Sequence, residues 1–220
     1  MAQTLFTARS GGTSKGDYAS LNFGDHVGDV DVDVQANRQI LTKLLSQKAP
    51  VFMSQVHGDF VVEVNSDSDF PTADAMITRE AGLPLVVLSA DCLPILIAGQ
   101  SVVGVVHAGR KGILNGIIAK TVQSMRAVGG SELTAIIGPA ICKDCYEVDP
   151  QMYIEAISQD PSLATSDARH SLDLSASAQI QLAECGVLVS AIDICTAHGS
   201  GYFSYRRDGI TGRSAGVIVL

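Results

Sequence analysis

The stretch from Leu85 to Gly112, LVVLSADCLPILIAGQSVVGVVHAGRKG, constrains the chain more than any other. Three apolar runs, Leu85–Ala90, Pro94–Ala98 and Val102–Val106, have the length and β-branched content of strands, and turn residues separate them. Read as an antiparallel meander, the first and third runs point the same way. Cys92 and His107 then lie just past their ends on one sheet edge, about 10 Å apart across the middle strand. His57 has the same local setting, ending the run VFMSQV and followed by Gly58. All three residues sit where a strand gives way to a loop, a usual address for chemistry.

His57, Cys92 and His107 form a His/Cys/His set, the pattern of a catalytic zinc site with an open fourth position. Zinc there holds Cys92 as a thiolate and lowers the pKa of a bound water. The same residues also read as a Cys–His pair, with Cys92 as nucleophile and His107 as base. Asp91 then orients the imidazole or simply forms a turn. Each residue alone also fits inert packing. Positive charge gathers at Arg110-Lys111, in a Gly-rich turn that opens a helix, and at Arg206-Arg207 in SYRRDG. Cations at a helix start suit an anion, and both pairs equally suit a solvated surface. Cys142-x-x-Cys145 reads as structural or incidental, because no second pair accompanies it. Cys185 and Cys195 read as core thiols, and His26, His170 and His198 as loop or surface residues. Five histidines favour zinc over copper. A blue-copper centre takes a His₂Cys set, and a multicopper enzyme needs further imidazoles.

The rest of the chain supplies an ordinary scaffold. The pattern predicts a helix over 34–46, after Asp29, Asp31 and Asp33, and a hairpin of 51–56 with 60–64 around His57-Gly58-Asp59. A helix over 114–125 ends at Gly129-Gly130, and a strand over 133–137 leads into a loop at 138–150. A short helix over 151–159, a surface segment over 161–173, a helix over 174–184 and a strand over 187–192 follow. A loop-like tail over 199–212 and a strand over 215–220 close the chain. Many strands and few helices, without strict alternation, indicate an α+β fold in one domain spanning 1–220.

Hydrophobic residues make up 46% of the 220, enough for a sizeable core. A net charge of −8 argues against nucleic-acid or membrane-surface partners. A small-molecule substrate needs only local cations. The opening residues lack the apolar core of a signal peptide, and the longest uncharged run, 92–108, is too interrupted to span a bilayer. Scattered, odd-numbered cysteines then imply reduced thiols and a cytoplasmic protein.

An ordered set of motifs resembles the laccase-domain, YfiH-type family. They are QVHG (55–58), TADAMIT (72–78), SADCLPILI (89–97), VVHAGRKG (105–112), IGPAICKDCYEV (137–148), CT (195–196) and FSYRRDGITGRSAGVIVL (203–220). GGTSKGDYASLN and HVGD near the N-terminus fit as well, so the likeness covers nearly the whole chain. The resemblance implies mixed sheets packed as an α/β/β/α sandwich, with a catalytic zinc on His57, Cys92 and His107. It implies purine nucleoside phosphorolysis, on adenosine, inosine and methylthioadenosine, with adenosine deaminase activity. Some members were first called polyphenol oxidases or laccases. A bacterial branch is described as a peptidoglycan-editing amidase that removes L-Ser from a UDP-MurNAc precursor. Under the nucleoside reading Asp91 is the candidate proton carrier, and Arg110, Lys111, Arg206 and Arg207 are candidate anion binders, in a monomer or homodimer. A third reading is a non-enzymatic partner protein whose zinc is closed off by Cys142, Cys145 or another side chain. The chain departs from the family where HAGWRG becomes HAGRKG: Arg110 replaces a Trp, which favours more anionic ligands if that Trp walls the pocket. The family's CCYEV is altered too, with Lys143-Asp144 before Cys145.

Overall fold

Strands apolar at every position must be covered on both faces, and a computed structural model describing residues 2–45, 48–166 and 169–220 shows how. The described residues form strands β1 (Gln3–Phe6), β2 (Val61–Glu63), β3 (Ala75–Thr78), β4 (Leu85–Ser89), β5 (Leu93–Ala98), β6 (Val103–Ala108), β7 (Thr134–Ile137), β8 (Leu188–Ala191) and β9 (Ser214–Val219). The helices are α1 (Asp31–Leu45), α2 (Arg110–Leu114), α3 (Ile117–Ala127), α4 (Pro150–Gln159), α5 (Leu174–Glu184) and α6 (Tyr205–Asp208). One sheet is antiparallel, in the order β1-β9-β4; the other is mixed, in the order β2-β3-β6-β5-β7-β8.

Alternation along each strand sorts the core into three layers. Leu85, Val87 and Ile218 meet Met76, Leu96, Val103 and Val105 between the sheets. Val86, Leu88 and Val217 face the other way, onto Leu41 and Ile40 of α1. Ile77, Ile95, Ile97 and Val106 pack under Ile118, Val122 and Met125 of α3 and Leu182 of α5. The result is a single-domain α+β sandwich, helix on sheet on sheet on helix.

The predicted meander is corrected. β5 and β6 do pair, but Leu85–Ser89 lies in the other sheet beside β9. Burial on both faces removes the polar alternation that would have distinguished one sheet from the other. The crossing is made at Asp91, whose φ of 108° turns the chain between sheets. The predicted hairpin around His57 is also absent. Val51 and Ser54 make isolated parallel bridges, and β2 pairs parallel with β3. The backbone N–H groups of residues 56–58 go instead to the Asp74 carboxylate.

Smaller differences have local causes. The first helix starts at Asp31, so Asp31 and Asp33 fall in its first turn, where carboxylates suit the dipole; the expected end at Ser46 lies outside the described residues. The helix expected over 114–125 is two, broken at Gly116 with φ 78°. The segment 161–173 is not all surface: Leu163 and Leu172 are fully buried. The tail holds the short α6, and Phe203 is fully buried.

Asp160 joins three of these pieces. It ends α4, and its carboxylate accepts from Ser162 N (3.0 Å), Ser177 Oγ (2.6 Å) and Gln181 Nε2 (3.1 Å) on α5. Burial pushes its carboxyl up, but the Ser162, Ser177 and Gln181 donors outweigh that and hold it below the usual range. A depressed carboxyl stabilises the fold above its unfolded value and loses that contribution as pH falls through the folded one. Asp160→Asn is therefore expected to be less stable than wild type at neutral pH. The gap should close in denaturant melts carried below about pH 4.

Candidate metal centre and active-site cavity

Strand register, more than sequence proximity, assembles the centre. In the β5–β6 hairpin Leu93 pairs with Ala108, so Cys92 is one step beyond and meets Gly109. In the β3–β6 pair Ala75 lies opposite Val106, so Asp74 and His107 are the next pair outward. His107 N donates to Asp74 O at 2.8 Å. His57 arrives from the segment before β2, which runs parallel to β3.

The three donors converge. One ligand atom from each of His57, Cys92 and His107 lies within 4.8 Å of the others. His57 Nε2 is 3.9 Å from Cys92 Sγ, and the imidazoles stand edge to face with centroids 4.7 Å apart. Tetrahedral zinc with ordinary bond lengths places N and S about 3.6 Å apart, so the set fits an ion with little adjustment. His107 Nδ1 lies 2.8 Å from Asp74 Oδ1. An ionised carboxylate only accepts, so Nδ1–H donates and Nε2 is left for the metal.

Asp74 also clamps the other side of the centre. Its oxygens accept from the backbone N–H groups of Val56 (3.2 Å), His57 (3.0 Å) and Gly58 (2.7 Å). Those bonds fix His57 at φ 58°, a left-handed conformation that a non-glycine residue seldom adopts. Burial pushes the Asp74 carboxyl up, but His107 and the Gly58 and Val56 amides outweigh it and leave it depressed. Sequence reasoning missed this fully buried residue; its only signal was its place in the TADAMIT motif.

The electrostatics suit a cation. Burial raises the Cys92 thiol, but the adjacent His107 and His57 rings bring it down to about 6. Burial lowers His107, while the Cys92 thiolate and Asp74 raise it to about 9. Both shifts run toward a thiolate beside an imidazolium, the arrangement that a Cys–His nucleophile reading also requires.

Gly109 leaves the space in which the ligands meet. A Cβ built on it would lie 2.9 Å from Cys92 Sγ and 3.2 Å from His57 Cδ2. Its φ of −80° suits any residue, so the demand is purely for room. Gly109→Ala is expected to fold, yet to bind metal more weakly by about 1–3 kcal/mol of overpacking, measured by metal titration.

The three ligands line a cavity of about 670 Å³, within the about 300–1,000 Å³ usual for small-molecule sites. Arg110, Lys111, Arg206 and Arg213 also line it, together with Val56, Leu88, Ile141, Tyr146 and Tyr205. Arg206 lies over the Tyr146 ring at 5.3 Å, and its Nη1 donates to the carbonyls of Cys145 (3.3 Å) and Glu147 (2.7 Å). Arg213 and His26 were not expected here. Arg207 does not line the cavity. Its guanidinium donates to the carbonyls of Thr196, Gly199 and Tyr202 and pairs with Asp208, so it braces a loop. Asp91 lines the cavity, but both its oxygens are engaged. Oδ1 accepts from Thr196 Oγ1 and Oδ2 from Arg206 N, each at 2.7 Å.

One sequence expectation about the other thiols is corrected. Cys195 is half-buried and groups with Cys142, Cys145 and His198, and His198 Nε2 is 3.1 Å from Cys145 Sγ. This group is separate from the His57 centre. Cys185, half-buried at the end of α5, packs against the core as expected. Among the described residues, no helix is long and apolar enough to cross a membrane.

Known proteins share this architecture. The chain is 40% identical to purine nucleoside phosphorylase ORF3 of Streptomyces griseus over 232 aligned positions, covering 100% of this chain and 94% of that one. It is 37% identical to purine nucleoside phosphorylase YlmD of Geobacillus stearothermophilus, over 94% of this chain and 86% of that one. Protein NMB0706 of Neisseria meningitidis superposes with a TM-score of 0.91 at 33% identity, covering 100% of this chain and 94% of that structure. YfiH of Bacillus licheniformis gives 0.89 at 31%, over 100% and 92%. A family model described as multi-copper polyphenol oxidoreductase laccase matches residues 3–220. End-to-end identity and a shared fold agree: this chain belongs to the laccase-like, YfiH-type family.

Proposed function

We propose that this protein is a zinc-dependent purine nucleoside phosphorylase. The observation that carries the reading is the convergence of His57, Cys92 and His107 on the wall of a cation-lined cavity. The relatives named as purine nucleoside phosphorylases supply the substrate class. Three protein ligands leave a fourth position for catalysis, which favours zinc over a closed structural site. When bound, the ion supplies Lewis acidity at that wall.

The protein's own groups have assignable work. Tyr146 and Tyr205, with Val56, Leu88 and Ile141, offer flat and apolar surface for a purine and its ribose. Arg110 and Lys111, at the start of α2, hold the phosphate; Arg206 adds charge from α6. In phosphorolysis a phosphate oxygen attacks ribose C1′ as the C1′–N9 bond breaks and the purine leaves with the electron pair. Positioned cations favour that step by holding the attacking anion in place. Adenosine, inosine and methylthioadenosine are the proposed substrates, with adenosine deamination as a second activity of the same cavity.

His57→Ala, Cys92→Ala and His107→Ala are each expected to lose the ion at this centre, and with it phosphate-dependent purine release by at least about a hundredfold. Full turnover by verified metal-free protein would falsify the assignment. A parallel incubation with UDP-MurNAc-L-Ser separates the amidase reading. Free serine, without purine release from any nucleoside, would transfer the function to it. Elemental analysis that finds copper at full occupancy and no zinc would overturn the choice of metal.

A further inference from the structure

The sequence carries a second pair that its spacing hid. Cys142-x-x-Cys145 is matched, far downstream, by Cys195-x-x-His198. The fold brings both turns together, and one ligand atom from each of the four residues lies within 4.8 Å of the others. The two turns are built alike. Cys145 N donates to Cys142 O at 3.1 Å, and His198 N to Cys195 O at 3.3 Å. Cys142 N donates to Cys195 Sγ at 3.3 Å, a bond that suits a thiolate. A short parallel bridge between Ala140 and Cys195 sets the two segments side by side.

We propose that Cys142, Cys145, Cys195 and His198 form a second, structural zinc site, distinct from the His57–Cys92–His107 centre. Four protein donors of the Cys₃His type close the coordination sphere and leave no position for substrate. Tetrahedral zinc sets sulfur–sulfur contacts near about 3.8 Å and nitrogen–sulfur contacts near about 3.6 Å. The observed 3.1 Å between Cys145 Sγ and His198 Nε2 needs only a small opening. Cys142 and Cys195 also line a surface cleft of about 540 Å³, which gives an ion a way in.

The site clamps one wall of the active cavity. Tyr146 follows Cys145 directly, and Arg206 is hydrogen-bonded to the Cys145 carbonyl. Thr196, next to Cys195, holds the Asp91 carboxylate. Ile141, next to Cys142, donates its N–H to the Asp91 carbonyl at 2.9 Å. Zinc therefore locks together the two loops that position Tyr146, Arg206 and Asp91.

The test is metal titration of the full-length protein, stripped by chelator under reducing conditions and reloaded with Zn(II) or Co(II) alone. Wild type is expected to take two equivalents. A His57→Ala/His107→Ala double variant keeps one. Its cobalt form shows about three times the thiolate-to-metal charge-transfer intensity of the Cys92 centre, three sulfurs against one. Stripping that variant lowers its melting temperature, and zinc restores it. Cys145→Ser and His198→Ala lose one equivalent and keep the weaker, one-sulfur spectrum. Should they fail to fold, the double variant decides alone. The proposal is overturned if the double variant binds no metal, or if Cys145→Ser still binds two equivalents. A disulfide among the three cysteines that persists in zinc-replete, reduced protein overturns it as well.

Discussion

Asp74→Asn is expected to weaken metal binding at the His57–Cys92–His107 centre by about 10–100-fold, the usual effect of losing the partner that orients a ligating histidine. The reason is a count of donors. Asp74 accepts from three backbone N–H groups and from His107 Nδ1. Asparagine keeps the shape but offers one oxygen and an NH₂ group. Backbone amides cannot reverse their direction, so at least one partly buried N–H then faces another donor. His107 also loses the charge that fixes its tautomer. Asp74→Ala removes every acceptor and is expected to destabilise the fold by about 3–5 kcal/mol, as breaking a buried ionic pair does. Zinc titration reads the first effect and denaturant melts the second. Unchanged zinc affinity in a folded Asp74→Asn protein would show that the carboxylate does not orient His107.

What the sequence shows of this molecule follows from where its signals are local. Strand ends are local, so Cys92 and His107 could be placed near strand ends from the apolar runs alone, although His107 lies inside β6, one residue before its end. Sheet membership is not local. Leu85–Ser89 and Leu93–Ala98 are buried on both faces, and nothing in their pattern says that they belong to different sheets. The centre survives that error because its assembly depends on the β3–β6 and β5–β6 registers, both in the six-stranded sheet. Helix α5 was legible to the residue because Asp173 caps it, accepting from Ala176 N, and Gly186 follows its end. Asp74 was illegible in isolation: an aspartate before a short apolar run reads as a turn, and its four donors come from other segments. The Cys195-x-x-His198 turn was passed over for the same reason, since its partner turn lies in a different loop. Arg206 and Arg207 are adjacent and identical in type, and only the backbone of α6 decides that one lines the cavity while the other braces the loop behind it.

Asp91 offers the sharpest contrast with Asp74, because here asparagine is expected to work. Asp91 is buried beside Cys92, at φ 108°. Its oxygens accept from Thr196 Oγ1 and from the Arg206 backbone N–H. An asparagine oxygen can accept from the Arg206 amide while its NH₂ donates to the Thr196 hydroxyl, which can turn to accept. Asparagine also tolerates positive φ better than most residues. Asp91→Asn is therefore expected to keep zinc and to hold kcat within about tenfold of wild type, with an unaltered pH profile. Asp91→Ala leaves the buried Thr196 hydroxyl and the Arg206 amide without their acceptor. Two such orphaned groups cost about 2–4 kcal/mol together, and α6, which carries Arg206, loses its tie to position 91. That variant is expected to melt earlier and to show raised KM for phosphate. A proton carrier would give the opposite pattern. Asp91→Asn would then lose activity by about 10²–10⁴-fold at undiminished stability and zinc content, and one limb of the pH profile would disappear. Steady-state kinetics across pH on the two variants, with metal analysis on the same samples, separates a residue that positions Cys92 and Arg206 from one that moves a proton.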